Sequence, residues 1–464
     1  MILKIFNQYI PVRKLAFVTL ESFFIIGMVF WGTFLSSLWS SPTSQEYDVL
    51  LGKALVIALS AQLCLYYFDL YDLNIFKSNF ELTIRLLQAL GVSSIVLAIL
   101  YYLFPDLIIG RGIFFISLWF IAGVMVSWRL LYNFLVKTKR LDQKIVILGC
   151  GLLAQNIARM VMEREDTGFR VIGFIAGDQT RIGDPLVNPS IIGSQKQLVD
   201  LVRKEKIDRI IVALDERRGK FPDAELLACK MRGIGIENGV QFYENLTGRL
   251  QVEDLTPSFL IFSDGFAKSK TSQGLKRITE LLVSGIGLVL FSPFVLVIAL
   301  LIKIDDRGVV FYKQERVGKK GKVFKLLKFR SMIENAEADG PVWSKENDTR
   351  ITRIGRWIRK SRLDEIPQII NVLKGDMSFV GPRPERPSFV EKLGQVIPFY
   401  DLRSWVRPGI TGWAQIKYPY GASEKDALEK LKYDLYYLKN WSFLFDLLIL
   451  FETIKVVLFA KGGR

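Results

Sequence analysis

The chain has 464 residues, which is room for roughly two to four domains. Half of the residues (50%) are hydrophobic, a share that excludes most soluble enzymes and predicts membrane-spanning segments. Lys and Arg outnumber Asp and Glu by 62 to 46, and the net charge of +16 predicts anionic partners. The sequence has no histidine, which excludes a histidine general base, a Ser-His-Asp triad and any metal site with an imidazole ligand.

Residues 1–139 are predicted to form a block of four transmembrane helices. Its apolar stretches are Leu15–Trp39, Leu50–Tyr67, Leu86–Phe104 and Ile113–Leu135. Each stretch is close to the ~20 residues that a helix needs to cross a bilayer. Among the basic residues that flank them are Lys4, Arg13, Lys14, Lys77, Arg85, Lys137, Lys139, Arg140 and Lys144. They lie on one side of the block, so the positive-inside rule predicts that both of its ends are cytoplasmic.

Two ionisable residues lie inside the predicted spans, Glu21 in the first and Arg129 in the fourth. A charged residue within a membrane helix is a candidate for function, because burying it in lipid is costly. An inter-helix polar contact, or a side chain that reaches back to the interface, explains the pair equally well. Both interpretations are open on the sequence.

Residues 140–265 are predicted to form a Rossmann-like α/β module. The strand Lys144–Leu148 runs into Gly149–Ala154 (GCGLLA) and then into a helical pattern, the context that a dinucleotide-binding fingerprint requires. The candidate cofactor-binding residues are Gly149, Gly151 and Ala154. Further strands are predicted at Phe169–Ile175 and Arg209–Ala213, and helices at Gln195–Lys204 and Glu225–Gly233. Asp178, the nearest acidic residue past the second predicted strand, lies 29 residues beyond Gly149 rather than the usual ~20, so a degenerate module without a nucleotide is the competing interpretation.

A long apolar helix opens the third predicted domain, residues 266–464. Leu281–Ile302 carries no charge and is long enough for a fifth span. Ser292 and Pro293 lie at its middle, where proline removes a helical hydrogen bond, and basic residues flank both of its ends. We therefore predict a re-entrant helix over 277–303, with the Ser292 hydroxyl bonding a carbonyl that Pro293 frees. A spanning helix is the alternative.

Ionisable residues concentrate between positions 313 and 416, where Asp364 and Glu365 follow a strongly basic run. Adjacent carboxylates suit a hard cation such as Mg²⁺, and the arginines around them suit phosphate oxygens. Those arginines should also lower the pKa of a nearby carboxyl group. The pattern predicts phosphoryl transfer without histidine. A solvated helical face with mixed charges is the plainer alternative.

Residues from about 268 to 464 resemble the bacterial sugar transferases, also called monotopic phosphoglycosyl transferases. The strings that carry the resemblance are KFRSM (328–332), LDEIPQIINVLKGDMSFVGPRP (363–384), RPGITGWAQI (407–416) and YDLYYLKNWSFLFDLLIL (433–450). The spans and the Rossmann-like module resemble the long form of this family, which starts exopolysaccharide, capsule or O-antigen synthesis. The fold class so implied is a mixed membrane protein: a four-helix transmembrane block, a Rossmann-like α/β module, and an α-rich catalytic domain with a re-entrant membrane helix.

The resemblance implies that a sugar 1-phosphate, with a hexose as the first guess, moves from a UDP-sugar to undecaprenyl phosphate, with release of UMP and with Mg²⁺ as cofactor. It implies that Asp364 is the nucleophile that forms an aspartyl phospho-sugar intermediate, and that Asp364 and Glu365 hold the metal. The residues it implies for substrate binding are Lys328, Arg330, Arg359, Gln368 and Arg383.

The implied location is the cytoplasmic face of the bacterial inner membrane, where a soluble UDP-sugar and a lipid phosphate both reach one site. Phe443–Phe459 is predicted to be an amphipathic helix near the interface. Membrane lipids and anionic substrates explain the basic surplus better than nucleic acid does. A homodimer is the default expectation. The competing function is a membrane-bound nucleotide-sensing regulatory protein, in which the acidic pair would not be needed for turnover.

Overall fold

The computed structural model describes residues 2–5, 8–38, 44–72, 79–137, 142–164, 167–177, 183, 186–214, 221–255, 257–306, 308–333, 348–418, 421 and 423–459. Contacts divide the chain into two compact units, Met1–Leu246 and Thr247–Arg464. Of the residues named above, Lys77, Lys139, Arg140 and Asp178 lie outside the described residues.

The first unit begins with a short antiparallel hairpin and four long helices. The hairpin consists of β1 (Ile2–Ile5) and β2 (Gln8–Pro11), and the helices are α1 (Val12–Ser37), α2 (Ser44–Tyr67), α3 (Asn79–Leu103) and α4 (Arg111–Lys137). Each helix contains a stretch long and apolar enough to cross a membrane, so the four-helix prediction is confirmed. The shared core of the block uses apolar side chains from all four helices, among them Ile25, Ala54, Leu86 and Met125.

The two ionisable residues of this block pair with each other. Arg129 Nη2 lies 2.8 Å from Glu21 Oε1, and both side chains are buried. Arg129 Nη1 also donates to the carbonyl oxygen of Leu70 at 2.5 Å. The guanidinium lies 5.3 Å from the ring centroids of Phe17 and Tyr71. Because each charge is compensated inside the block, the structure favours the inter-helix contact over a functional role.

The first unit continues with a parallel sheet of five strands. The strands are β3 (Gln143–Leu148), β4 (Phe169–Ala176), β5 (Ile191–Ser194), β6 (Arg209–Val212) and β7 (Gly235–Asn238). The helices are α5 (Leu152–Glu163), α6 (Leu198–Glu205), α7 (Asp223–Met231) and α8 (Gly239–Thr247). The order β5-β4-β3-β6-β7 is that of the first five Rossmann strands, which confirms the predicted module. The strands β5 and β7 were not predicted, because four residues are too few for a clear periodic pattern.

The turn after β3 requires glycine at one position. Gly149 has φ +125°, and a Cβ there would lie 2.0 Å from the carbonyl oxygen of Ala213. Gly151 precedes α5, and Ala154 is fully buried in the core between this helix and the sheet. Chain packing therefore accounts for Gly149 and Ala154, and nucleotide binding by this turn stays a prediction.

The second unit is rich in helices and holds two small sheets. Its helices are α9 (Pro257–Phe262), α10 (Lys270–Asp306), α11 (Arg353–Lys360), α12 (Gln368–Lys374), α13 (Pro387–Val396), α14 (Trp413–Lys417), α15 (Glu424–Asn440) and α16 (Phe443–Leu458). Its strands are β8 (Phe311–Val317) and β9 (Val323–Phe329), which form a hairpin, and β10 (Ser378–Val380) and β11 (Gly409–Thr411), which pair in parallel. The helix-rich domain and the C-terminal helix are as predicted.

The long helix α10 is continuous over 37 residues and contains Pro293. The hydroxyl of Ser292 donates to the carbonyl oxygen of Val289 at 2.8 Å. That oxygen is the acceptor that a non-proline residue at position 293 would use, so the serine replaces the hydrogen bond that the proline removes.

Both ends of α10 contact the same unit. Near its start, Arg277 donates to the carbonyl oxygens of Val372 and Leu373, each at 2.7 Å. Near its end, Asp305 accepts a hydrogen bond from the backbone nitrogen of Ile354 at 3.1 Å. A spanning helix would hold its ends on opposite faces of a hydrocarbon layer ~30 Å thick. The contacts thus support the re-entrant helix, which stays a prediction.

The segment that follows α8 belongs to the core of the second unit. Leu250 and Val252 are each 1% exposed and pack in the core that α15 helps to form. The carbonyl oxygen of Gly248 accepts from Trp413 Nε1 at 2.8 Å, and the backbone nitrogen of Leu250 donates to the carbonyl oxygen of Lys432 at 3.0 Å. A domain that began at residue 266 would lack this part of its own core.

Candidate active site

The two acidic residues lie on a 3₁₀ turn between α11 and α12, Leu363–Glu365. Arg362 precedes the turn in the left-handed conformation, with φ 56°, and reverses the chain direction after α11. The backbone nitrogen of Glu365 donates to the carbonyl oxygen of Arg362 at 3.2 Å. The turn buries the Asp364 and Glu365 side chains, with 12% and 11% of their surfaces exposed. The interpretation as a solvated helical face is therefore wrong.

Glu365 is held by two cations. Its Oε1 accepts from Lys328 Nζ at 3.1 Å and from Arg383 Nη2 at 3.0 Å. Burial by itself would raise the pKa of the Glu365 carboxyl, but the charges of Lys328, Arg383 and then Arg362 outweigh it and hold that pKa below its usual range. Glu365 is thus a fixed anion that orders the two cations.

Asp364 is placed differently, although it is the next residue. Its Oδ2 lies 3.8 Å from Lys328 Nζ, and among the described residues no hydrogen bond reaches its side chain. Burial raises the pKa of Asp364, the charge of Lys328 offsets this only in part, and the negative charge of Glu365 adds to the rise. The predicted lowering of carboxyl pKa values therefore holds for Glu365 and is wrong for Asp364, because burial and the adjacent anion prevail there.

The hairpin β8–β9 brings Lys328 to this turn. The side chain of Asn371 in α12 accepts from the backbone nitrogen of Leu327 at 2.9 Å and donates to the carbonyl oxygen of Lys325 at 2.9 Å. One buried amide thus satisfies two backbone groups on the edge of β9. The register of β9 against α12 is fixed, and with it the position of Lys328 opposite Glu365.

Arg383 comes from the Gly-Pro-Arg-Pro segment that follows β10. The Gly381 nitrogen donates to the carbonyl oxygen of Thr411 at 2.9 Å. A Cβ at Gly381 would lie 2.4 Å from the carbonyl oxygen of Arg407, so no larger residue fits this close approach. Arg383 Nη1 donates to Gln415 Oε1 at 2.8 Å, while 39% of its side chain stays exposed. Gln415 is a site residue that we did not predict, although it lies in the string RPGITGWAQI.

A buried arginine, Arg403, holds the Gly-Pro-Arg-Pro segment in place. Arg403 Nη2 donates to the carbonyl oxygen of Arg383 at 3.0 Å and lies 2.9 Å from Asp434 Oδ2. Its Nη1 donates to the hydroxyl of Tyr400 at 2.7 Å. Burial raises the pKa of Asp434 to about 6, and the adjacent Arg403 charge offsets part of that effect. The sequence offered no signal for Arg403, because its partners come from distant segments.

The other predicted substrate-binding residues are distributed unevenly. The positive charge of Arg359, in the last turn of α11, offsets part of the rise in the pKa of Asp364. Gln368 is buried at the start of α12, one turn after the acidic pair. Arg330 is buried as well, and its Nε donates to the carbonyl oxygen of Met332 at 3.1 Å. The structure thus brings Lys328, Arg359 and Arg383 to the acidic pair and directs Nε of Arg330 to the backbone.

The carboxylate oxygens of the acidic pair are of the donor type that Mg²⁺ takes, and Mg²⁺ binding here stays a prediction. No group of three or more Cys, Asp or Glu side chains suited to a metal occurs within the ranges that the structure describes. Mg²⁺ needs only one or two carboxylates, because it keeps water and substrate phosphate oxygens in its shell. The oxygens of Asp364, which accept no hydrogen bond from the described residues, are available for such a cation.

Two family models match the chain. The model described as bacterial sugar transferase matches residues 271–460, and the model described as CoA-binding domain matches residues 66–220. The first covers α10, both carboxylates, the strand β9 that carries Lys328, and the strand β10 with the following segment that carries Arg383. The second covers the last two apolar helices of the block and most of the parallel sheet.

Three curated proteins illustrate the similarity. UDP-N-acetylgalactosamine-undecaprenyl-phosphate N-acetylgalactosaminephosphotransferase of Aeromonas hydrophila is 43% identical over 56% of this chain and 61% of its own. Undecaprenyl-phosphate glucose phosphotransferase of Komagataeibacter xylinus is 33% identical over 70% of this chain and 61% of its own. UDP-galactose-lipid carrier transferase of Erwinia amylovora is 32% identical over 74% of this chain and 75% of its own. The chain thus spans about three fifths of the first two relatives and three quarters of the third.

Proposed function

Since this chain belongs to the bacterial sugar transferase family, we propose that it transfers a sugar 1-phosphate from a UDP-sugar to undecaprenyl phosphate and releases UMP. One observation carries the proposal: Asp364 is a buried carboxylate without a hydrogen bond from the described residues, beside Lys328 and close to the charges of Arg359 and Arg383. Glu365 differs from Asp364, because its Oε1 accepts hydrogen bonds from Lys328 and Arg383.

In this proposal the reaction has two displacements at one phosphorus. An Asp364 oxygen attacks the sugar-bearing phosphorus of the UDP-sugar, the bond from that phosphorus to the bridging oxygen breaks, and UMP leaves with the electron pair. An oxygen of undecaprenyl phosphate then attacks the same phosphorus, and the bond to Asp364 breaks, which restores the carboxylate.

The cations near Asp364 supply electrostatic stabilisation. Lys328 and Arg383 carry positive charge that can stabilise the oxygens of the transferred phosphoryl group and of the leaving UMP. Glu365 holds both cations in place before substrate arrives, so little reorganisation is needed during the reaction. A Mg²⁺ ion held by Asp364 and Glu365 would neutralise further charge on the diphosphate.

A panel of UDP-sugars tests directly which sugar the protein transfers. The relatives above are named for N-acetylgalactosamine, glucose and galactose, so we propose a hexose or an N-acetylhexosamine. Purified chain with undecaprenyl phosphate should release UMP from one or a few members of the panel. Release of more than one UMP per chain without undecaprenyl phosphate, or no release from any UDP-sugar, would contradict the proposed reaction.

We propose that the site faces the cytoplasm at the bacterial inner membrane and that the product is the first lipid-linked intermediate of an exopolysaccharide or O-antigen type of glycan. UDP-sugars are cytoplasmic, while the phosphate of the lipid acceptor lies at headgroup level. The exposed apolar side chains of α10, among them Ile286 (68%), Val289 (76%) and Leu296 (71%), suit contact with the hydrocarbon of that leaflet. A homodimer is part of this proposal.

Removing the charge of Glu365 should lower activity strongly. We expect Glu365→Gln to reduce transfer by about 100-fold, because the two cations lose the anion that holds them. Excess EDTA should stop wild-type transfer, and added Mg²⁺ should restore it. Initial rates of UMP release measure both effects. The matched control is Glu391→Gln on the exposed side of α13, which should keep wild-type rates. Full activity in EDTA would argue against the metal.

If α10 is re-entrant, both of its ends should lie on the cytoplasmic side of the membrane. Cysteines at the exposed positions Ser272 and Val323, each in a chain with Cys64, Cys150 and Cys229 replaced by alanine, should resist an impermeant thiol reagent on intact cells. Both should react after permeabilisation. A cysteine at Ser41, which lies between the first two predicted spans and so opposite the cytoplasmic ends of the block, is the positive control. Labelling at position 323 alone in intact cells would mean that α10 spans the membrane.

A further inference from the structure

One side of α11 is exposed, basic and aromatic. The residues of this basic face are Arg353, Arg356, Trp357 and Lys360. Their spacing of three, four and seven positions places them on one side of the helix. The other side is buried, with Ile358 at 0% exposure, whereas Trp357 is 55% exposed. An exposed tryptophan among cations is the composition of a helix that lies at a lipid-water boundary.

The charge of the basic face is not neutralised within the described part of the chain. The helix reads RIGRWIRK and contains no carboxylate. Among the described residues, no ion pair involves the side chains of Arg353, Arg356 or Lys360, although Arg350, Arg359 and Arg362 nearby do interact with acids. Three cations on one short helix thus face outward together, which calls for an anionic partner.

The basic face is continuous with the proposed membrane helix. Asp305 of α10 accepts a hydrogen bond from the backbone nitrogen of Ile354, and Ile302 packs in one cluster with Ile358. At the same end of α10, Ile304 is 70% exposed. The basic face therefore begins where the apolar surface of α10 ends, at the level where lipid headgroups would lie.

We propose that the basic face of α11 binds the anionic headgroups of membrane lipids, with Trp357 at the interface and Arg353, Arg356 and Lys360 on phosphate oxygens. Arg359, whose charge acts on Asp364, lies on the same helix. The inference rests on the proposed membrane location and not on the transfer reaction, so either can fail without the other.

The test uses the full chain in lipid nanodiscs. We would measure hydrogen exchange of peptides covering residues 353–360 in discs of phosphatidylcholine, with and without phosphatidylglycerol. Each cation near an anionic surface strengthens the attraction about fivefold, so three should strengthen it about a hundredfold. We expect slower exchange of α11 only when phosphatidylglycerol is present. The triple variant Arg353→Gln, Arg356→Gln, Lys360→Gln should lose that difference, and Arg353→Lys, Arg356→Lys should keep it.

The matched control neutralises three exposed cations of the first unit, Arg203→Gln, Lys204→Gln and Lys230→Gln, and should behave like the wild type. Equal exchange of α11 in both lipid compositions would overturn the proposal. If α11 were protected equally in both, it would insert into the membrane without recognising charge. Protection that needs undecaprenyl phosphate in a neutral disc would assign the basic face to the lipid substrate instead. UMP release in neutral discs, measured in parallel, reports separately on the proposed reaction.

Discussion

Asp364→Asn should reduce sugar-phosphate transfer by about a thousandfold or more, because an amide cannot form the proposed bond to phosphorus. The substitution changes one buried atom and no hydrogen bond to the described residues, so the fold should persist. Binding of the UDP-sugar should persist as well, or tighten, since a negative charge beside the diphosphate is lost. UMP release and calorimetric binding, measured on the same preparation, separate the two effects.

Controls make this result specific to position 364. Asp401→Asn changes an exposed aspartate of the same unit and should leave the rate unchanged. Incubation of the wild type with a UDP-sugar labelled in the sugar should give a labelled chain, while the Asp364→Asn variant should stay unlabelled. Wild-type turnover by that variant would remove Asp364 from the mechanism.

A chain that starts at residue 266 should be much less stable than one that starts at residue 247. The shorter chain lacks Leu250, Val252 and Leu255, which are 1%, 1% and 9% exposed in the core of the second unit. Burial of side chains of this size stabilises by about 1.5–3 kcal/mol each, so their loss removes roughly 5 kcal/mol or more. Because whole domains have only about 5–15 kcal/mol, the shorter chain should unfold or aggregate.

Thermal unfolding and UMP release in detergent compare the two truncated chains. Both lack the transmembrane block and the parallel sheet, so that loss is common to them and the segment 247–265 is the only difference. In the full chain, the double substitution Leu250→Ala, Val252→Ala should lower the melting temperature without truncation, whereas Leu227→Ala, at a side chain 61% exposed, should not. Equal stability and activity of the two chains would show that the segment is dispensable.

Several features could be predicted from the sequence because their signals are local. The four spans are runs of apolar residues, and each run is long enough by itself to satisfy the bilayer. The parallel sheet was indicated by a strand, a glycine turn and a helix in direct succession around Gly149. Ser292 and its acceptor Val289 are three residues apart, so their hydrogen bond follows from helical geometry once Pro293 is seen.

The strings around Asp364 and Glu365 also indicated where the chemistry lies, but only the tertiary structure separated the two carboxylates. The cations on Glu365 come from positions 37 and 18 residues away, and they leave Asp364 without a hydrogen bond from the described residues. The distinction arises because one side chain of the turn is hydrogen-bonded to Lys328 and Arg383, while its neighbour makes only a 3.8 Å ion pair with Lys328. The sequence alone does not show in which direction each of two adjacent acidic side chains points.

Glu21 and Arg129 show the same limit, since they are 108 residues apart and either interpretation fitted until α1 and α4 were seen side by side. The start of the C-terminal domain is a further case. The predicted domain starts at residue 266, yet Leu250 and Val252 already lie in the core of the second unit. By itself, the amino-acid sequence determined which segments are helical, apolar or basic, because these are properties of neighbouring residues. The tertiary structure decided which distant charges and surfaces meet, because such contacts exist only once the chain has folded.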